Sequence, residues 1–387
     1  MIQPLIRYCL RGGDPTYPEV RTRCGALAGR VGIGANVFLF ALKLLCGLFA
    51  GSVSMVADAV NNLSDAAGSL VTLIGFKLAG QAADADHPFG HGRMEYISGF
   101  LVSVAILLMG FELLKSSVQA LFTPAQTTFS PLIALLLLLA IGVKIFLWQF
   151  NRRLGRTIDS AAMEATAADS LSDCAATSAV LLSSFAGQFT DLPVDAAAGI
   201  LVSLFIFKAG WDSLKATIDP LLGRPMDPEL AAEIDHLVRS HEFILGIHDL
   251  VYHDYGPGRA MMSFHAEVPA DGDMLIIHDM IDHIERELKA KHHIDAVIHM
   301  DPILMDERTV ALRDQVSELV KTIDPDLSIH DFRITAGPLH TNLIFDILLP
   351  YNCPLPPDVV RACVTQEIKA LSDRYYTVIH IDRNFVE

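Results

Sequence analysis

Between residues 31 and 212 the chain is a succession of apolar runs, broken by short polar connections. A run of about 20 apolar residues is the length that crosses the hydrocarbon of a bilayer as a helix. Six such helices are predicted, over about 31–50 ("VGIGANVFLFALKLLCGLFA"), 53–79, 95–119, 131–150, 160–187 and 191–212. Composition points the same way. Of 387 residues 51% are hydrophobic and 19% charged, and the mean hydropathy of +0.38 exceeds that of ordinary soluble domains. The second and fifth runs are the least apolar and carry acids. Their neighbours argue for spanning helices over buried soluble ones.

Basic residues orient these spans. No Lys or Arg lies between Lys43 and Lys77, between Lys115 and Lys144, or between Arg156 and Lys208. Arg21, Arg23 and Arg30 precede the first run, Arg93 follows the second, "NRRLGR" joins the fourth and fifth, and Arg224 follows the sixth. The excess of Lys and Arg on cytoplasmic loops then puts both termini in the cytoplasm. The net charge of −16 is confined to the tail: residues 1–224 hold 16 basic and 16 acidic side chains. Thirteen of the 15 histidines also follow residue 225. An acidic tail is a poor partner for nucleic acid, whose phosphates need Lys and Arg. The opening "MIQPLIRYCLRGGDPTYPEVRTRC" has no apolar core with a small-residue cleavage site, so no signal peptide is read there. Six cysteines without a CxxC pattern suit reduced thiols.

Polar residues inside the second and fifth runs carry the chemistry. "VADAVNNLSDAAGSL" places Asn61 and Asp65 four residues apart, and "ATAADSLSDCAATSAVLL" does the same for Asp169 and Asp173. Residues at that spacing share a helix face. If the two faces meet, four oxygen donors form one cation cage. Carboxylates in hydrocarbon are costly without a partner, and a bound cation is the natural one. Helix–helix hydrogen bonding explains a lone Asn or Asp but not three acids on two like-patterned helices. Asp58, at the start of the second run, is a weaker candidate.

The motifs "ADAVNNLSD", "HPFGHGRMEYISGF" and "DSLSD", in this order, resemble the cation diffusion facilitator family over roughly residues 20–302. That resemblance implies a dimeric, six-helix metal/proton antiporter with a cytoplasmic ferredoxin-like domain, and not an enzyme. By position, Asn61, Asp65, Asp169 and Asp173 match the family's transport site. Zinc-transporting relatives commonly place histidine there, whereas the set here is Asn and three Asp and resembles the manganese-exporting branch. An all-oxygen site suits Mn²⁺ better than Zn²⁺, which favours imidazole and thiolate. Zn²⁺, Fe²⁺, Co²⁺ and Cd²⁺ are the alternative cargoes. Divalent metal is substrate, and no organic cofactor is expected. Metal and protons competing for the same oxygens would give exchange.

The loop "DADHPFGHGR" holds Asp84, His87 and His91, which the resemblance marks as a second metal site. The alternative is a structural hairpin whose histidines bond to backbone. The tail is doubled: "GIHDLVYHDYGPGRAMMSFHAEVP" parallels "SIHDFRITAGPLHTNLIFDILLP", and "DAVIHMDP" parallels "YTVIHIDR". Each copy reads helix, strand, strand, helix, strand, an α+β ferredoxin-like unit. His248, His265, His278, His299 and Asp301 of the first copy resemble the family's regulatory metal ligands. The second copy keeps His330, His380 and Asp382, has Asp346 in place of His265, and has no match to His278.

The expected architecture is an α-helical membrane protein with six transmembrane helices and cytoplasmic α+β domains. Its parts are a cytoplasmic N-terminal segment (1–25), a six-helix domain (26–220), a ferredoxin-like domain (221–303) and its internal repeat (304–387). The expected function is proton-coupled efflux of a divalent cation, Mn²⁺ first, by a homodimer in a bacterial inner membrane. Its partners are metal, protons and membrane lipid, with no nucleic acid. Two other classes compete. An intramembrane aspartyl protease also needs two membrane acids but resembles a Gly-rich GxGD pattern absent here. A membrane-anchored metal sensor leaves the intramembrane oxygens unexplained.

Overall fold

The structure, a computed structural model, describes residues 2–11, 13–50, 53–122, 131–186, 189, 194–337, 340–350 and 352–383. It divides into two units, Met1–Arg224 with Asp254–Arg259, and Pro225–His253 with Ala260–Glu387.

The first unit is helical. A short helix α1 (Ile2–Leu10) buries Ile2 and Cys9 and precedes six long helices: α2 (Pro18–Ala50), α3 (Val53–Ala79), α4 (Met94–Phe122), α5 (Pro131–Thr157), α6 (Ala161–Ala186) and α7 (Val194–Leu222). Among the described residues, four helical stretches are long and apolar enough to cross a membrane: Pro18–Cys46, Met94–Phe122, Pro131–Thr157 and Ala196–Leu222. The other two helices, α3 and α6, are 27 and 26 residues long but interrupted by the polar residues singled out above. Helix α2 runs along α3, α4 along α7, and α6 between α5 and α7. Close approach of α2 to α3 needs glycine: a Cβ on Gly25 would fall 2.0 Å from the Phe76 ring, and one on Gly29 2.6 Å from Leu73 Cβ. Small residues of this kind let helix backbones meet in an apolar medium.

One buried ion pair ties three parts of this unit together. Arg21 of α2 donates to Glu95 of α4 at 2.7 and 3.2 Å, and both side chains are almost fully buried. Its guanidinium also donates to the carbonyls of Ile158 and Asp159 between α5 and α6, and Ser160 Oγ donates to the same Glu95 carboxylate at 2.6 Å.

The second unit contains α8 (Pro228–Arg239), β1 (Gly246–Asp254), β2 (Ala260–Pro269), α9 (Met274–His292) and β3 (Ile294–Ile303). It continues with α10 (Glu307–Ile323), β4 (Ser328–Ala336), β5 (Thr341–Leu349), α11 (Pro357–Leu371) and β6 (Tyr375–Arg383). Two three-stranded sheets result, ordered β1-β2-β3 and β4-β5-β6. The pair β2–β3 is parallel, as is β5–β6, while β4–β5 is antiparallel. Each sheet is helix, strand, strand, helix, strand in sequence. Strand alternation assigns the faces. Ala260, Met262, Phe264, Ala266 and Val268 of β2, and Leu343, Phe345, Ile347 and Leu349 of β5, enter the cores beneath the helices. His265 and Asp346 therefore point to the opposite faces. Aspartates cap three of the helices: Asp227, Asp273 and Asp306 each accept a backbone N–H of the first turn.

Replacing Arg21 by Ala leaves Glu95 buried without its counter-ion. Such a loss costs about 3–5 kcal/mol, so the detergent-solubilised variant is expected to melt well below wild type in a fluorescence thermal scan.

Candidate functional site

The transport-site candidates face a common space. Asn61 and Asp65 from α3 and Asp169 and Asp173 from α6 line one cavity of about 660 Å³, together with Lys43 from α2 and Lys144 from α5. The helical spacing places each pair on one face, and the faces look into the same cavity, as the sequence led one to expect. A further side chain enters among the four oxygen donors. Lys144 Nζ donates to Asp65 Oδ2 at 2.7 Å and to Asp173 Oδ2 at 2.5 Å. Lys144 is itself only 4% exposed. A buried ammonium between two carboxylates is the arrangement a low-dielectric site demands. Sequence reasoning missed Lys144 as a site residue. The signal was present, because a lone lysine inside "LLLLLAIGVKIF" obeys the same argument as the aspartates. The side chain of Asp58 lies outside the described residues.

In the loop between α3 and α4, Asp84, His87 and His91 do come together, with one donor atom from each within 4.8 Å of the others. Asp84 also organises the turn. Its Oδ1 accepts the backbone N–H of His87 at 2.7 Å and of Asp86 at 3.0 Å, and the first of these bonds holds its carboxyl below the usual range. His91 Nδ1 lies 3.1 Å from the Ala82 carbonyl, which leaves Nε2 facing Asp84 Oδ2 at 3.5 Å. Gly90 adopts φ +81° in this turn, a conformation side chains rarely take. Hairpin and ligand cluster are one structure.

In the tail, His248, His265 and Asp301 converge. Asp301 Oδ2 lies 3.2 Å from His248 Nε2 and 2.9 Å from His265 Nδ1, while Oδ1 is 3.2 Å from His299 Nε2. The parallel register sets His265 beside His299, and i, i+2 spacing puts His299 and Asp301 on one face of β3. Burial draws the His248 imidazole down in pKa, but the carboxylates of Asp249 and Asp301 outweigh it and raise it to about 9. His278 is the exception. It stands on α9 with an exposed side chain beside Asp282 at 3.5 Å, apart from this cluster. The resemblance alone groups it with the others.

The second sheet brings His330, Asp346 and Asp382 together, joined by Asp249 of β1. His380 does not enter the cluster. Its ring is 71% exposed and reaches Asp382 Oδ1 at 2.8 Å from outside. Asp249 and Asp346 are the residues sequence reasoning left out.

Residues 30–222 match the family model described as the cation efflux transmembrane domain, and residues 226–303 match that of the cation efflux protein cytoplasmic domain. The manganese efflux system protein MneS of Bacillus subtilis is 29% identical over 290 residues, covering 74% of this chain and 98% of MneS. A transporter of Methanocaldococcus jannaschii is 27% identical over 70% of this chain and 95% of its own length. The cation-efflux pump FieF of Shewanella oneidensis is 26% identical over 73% and 96% respectively. With both domains matched in order across more than two thirds of its length, the chain belongs to the cation efflux transporters.

Proposed function

We propose that this protein exports Mn²⁺ from the cytoplasm in exchange for protons. The observation that carries the reading is the single cavity shared by Asn61, Asp65, Asp169 and Asp173, an oxygen donor set without imidazole or thiolate. Such a set suits a hard divalent ion of higher coordination number. The likeness to a relative named for manganese efflux supports the same cargo. All six long helices, α2 to α7, cross the membrane in this reading, including the more polar α3 and α6. Both termini face the cytoplasm, following the basic residues of the loops. The working form is a homodimer in a bacterial inner membrane, built from the parts 26–220, 221–303 and 304–387 behind a short N-terminal segment. Asp84, His87 and His91 form a second cation site in the loop, and the His248, His265 and Asp301 cluster answers to cytoplasmic metal.

Lys144 gives the cycle its resting state. With the cavity free of metal, its ammonium satisfies Asp65 and Asp173. A dication arriving from the cytoplasm takes those oxygens and the ammonium withdraws, while Asp169, which the ammonium does not hydrogen-bond and which takes a proton from the far side each time the metal leaves, releases that proton to the cytoplasm. When the metal departs, Lys144 returns and holds the pair for the next cycle. The tethered charge thereby competes with the cargo and prevents it from binding too tightly to leave.

The reading is tested by uptake of Mn²⁺ and Zn²⁺ into proteoliposomes. Wild type is expected to carry Mn²⁺ in preference to Zn²⁺, with Asn61→His shifting the preference toward Zn²⁺. Zinc transport by wild type, unaltered in the variant, would discard the manganese assignment. Flux indifferent to an imposed pH gradient would discard proton exchange.

For Lys144→Met, Mn²⁺ is expected to bind about ten-fold tighter, ~1.4 kcal/mol, while turnover falls. Isothermal titration in detergent and vesicle flux measure the two effects separately.

A further inference from the structure

Beneath the similarity of the two tail sheets lies an asymmetry of charge. "GIHDLV" in β1 and "SIHDFR" in β4 place a His-Asp pair at corresponding positions. Both aspartates adopt left-handed backbone, Asp249 at φ +52° and Asp331 at φ +51°. Aspartate tolerates this conformation better than most residues, but it still carries a cost. In β4 the conformation accompanies a break in register between His330 and Arg333. The two carboxylates then go different ways. Asp331 is claimed by Arg333 at 2.5 Å. The residue corresponding to Arg333 in β1 is Val251, which offers no charge; Asp249 instead keeps Oδ2 3.3 Å from His248 Nδ1 of its own strand and turns Oδ1 to the other sheet, 3.5 Å from His330 Nε2.

Two further donors wait there. Asp346 of β5 is in register with His330 on one side and His380 on the other, and Asp382 Oδ2 lies 3.6 Å from His330 Nε2. One donor atom from each of Asp249, His330, Asp346 and Asp382 falls within 4.8 Å of the rest. His330 Nε2 and Asp382 Oδ2 are buried without a hydrogen-bond partner. The separations of 3.5 and 3.6 Å are too long for hydrogen bonds and leave room for an ion between the donors. His380 meanwhile fixes Asp382 from outside through the other carboxylate oxygen, as second-layer partners do for metal ligands. Half-buried carboxylates facing one another call for a cation.

We propose that Asp249, His330, Asp346 and Asp382 form a divalent-cation site that closes the seam between the two sheets. One ligand comes from the first sheet and three from the second, so a bound ion staples them. Three carboxylates and one imidazole select a hard ion such as Mn²⁺, whereas the adjoining His248, His265 and Asp301 cluster, richer in nitrogen, suits Zn²⁺ better. This site does not depend on the transport reading, since it uses none of the cavity residues.

The test uses the full chain in detergent, stripped with a chelator and titrated with Mn²⁺ under electron paramagnetic resonance. Asp249→Asn and Asp346→Asn are each expected to lose one bound Mn²⁺ per chain, or to hold it about ten-fold or more weakly. Asp65→Asn serves as the comparison, because it alters a different ion. Hydrogen exchange supplies the second readout. Mn²⁺ should slow exchange in both 246–254 and 328–336 of wild type and leave Asp249→Asn unprotected, while the metal-free exchange of wild type and variant agrees elsewhere. Unchanged Mn²⁺ stoichiometry and affinity in both variants would overturn the proposal. So would protection by Mn²⁺ that survives Asp249→Asn, or a seam ion that Zn²⁺ displaces more readily than Mn²⁺ binds.

Discussion

An ion inside a helical bundle has few places to put its charge, and the contact of Lys144 with Asp65 and Asp173 is where this chain puts it. At low dielectric, unpaired charges on α3 and α6 would repel or be expelled, and the helices carrying them could not face a common space. The lysine comes from α5, a helix that contributes no carboxylate. It thereby makes α3, α5 and α6 parts of a single electrostatic unit. The Arg21–Glu95 pair does the corresponding work for α2, α4 and the turn between α5 and α6. Apolar contact supplies the bulk of the packing, and these two buried pairs link helices that otherwise touch little, α2 with α4 and α3 with α5.

Much of this arrangement was legible in the residues. Apolar runs gave three of the long helices, α3, α4 and α6, within about three positions, whereas α2 begins 13 residues earlier than its run and α5 and α7 continue 7 and 10 residues beyond theirs, into polar sequence. The four-residue spacings of Asn61/Asp65 and Asp169/Asp173 put each pair on one helix face. Strand alternation likewise put His299 and Asp301 together. What was hidden depended on contacts far apart in sequence. Lys144 was useful for orientation, yet its partners lie 79 and 29 residues away, and no local pattern announces them. His278 belonged to a plausible ligand set, but helix rotation turned it to solvent. Asp249 drew no notice because its contact with His330 crosses to another sheet. Asp346 looked like a lost histidine, when it changes the type of donor.

The two tail clusters divide the chemistry between them. One is built around imidazoles His248 and His265, the other around carboxylates, and their neighbouring rings His248 and His330 are 4.4 Å apart. The division follows from a few positions. Histidine or aspartate on the middle strand sets nitrogen against oxygen, and where Arg333 holds Asp331, Val251 leaves Asp249 to share its two oxygens between His248 and His330. Small changes at these positions would alter ion preference without disturbing either hydrophobic core, since the ligands occupy the faces opposite the helices.

Having both sheets on one polypeptide also changes how their pairing responds to conditions. Two separate chains meet at a rate and extent set by how many copies are present. Here the link through α10 keeps the partner at a fixed effective concentration, and the seam is equally complete at one copy per cell or a thousand. An ion seated there, as proposed above, would bind with an affinity that does not depend on how many copies of the chain meet.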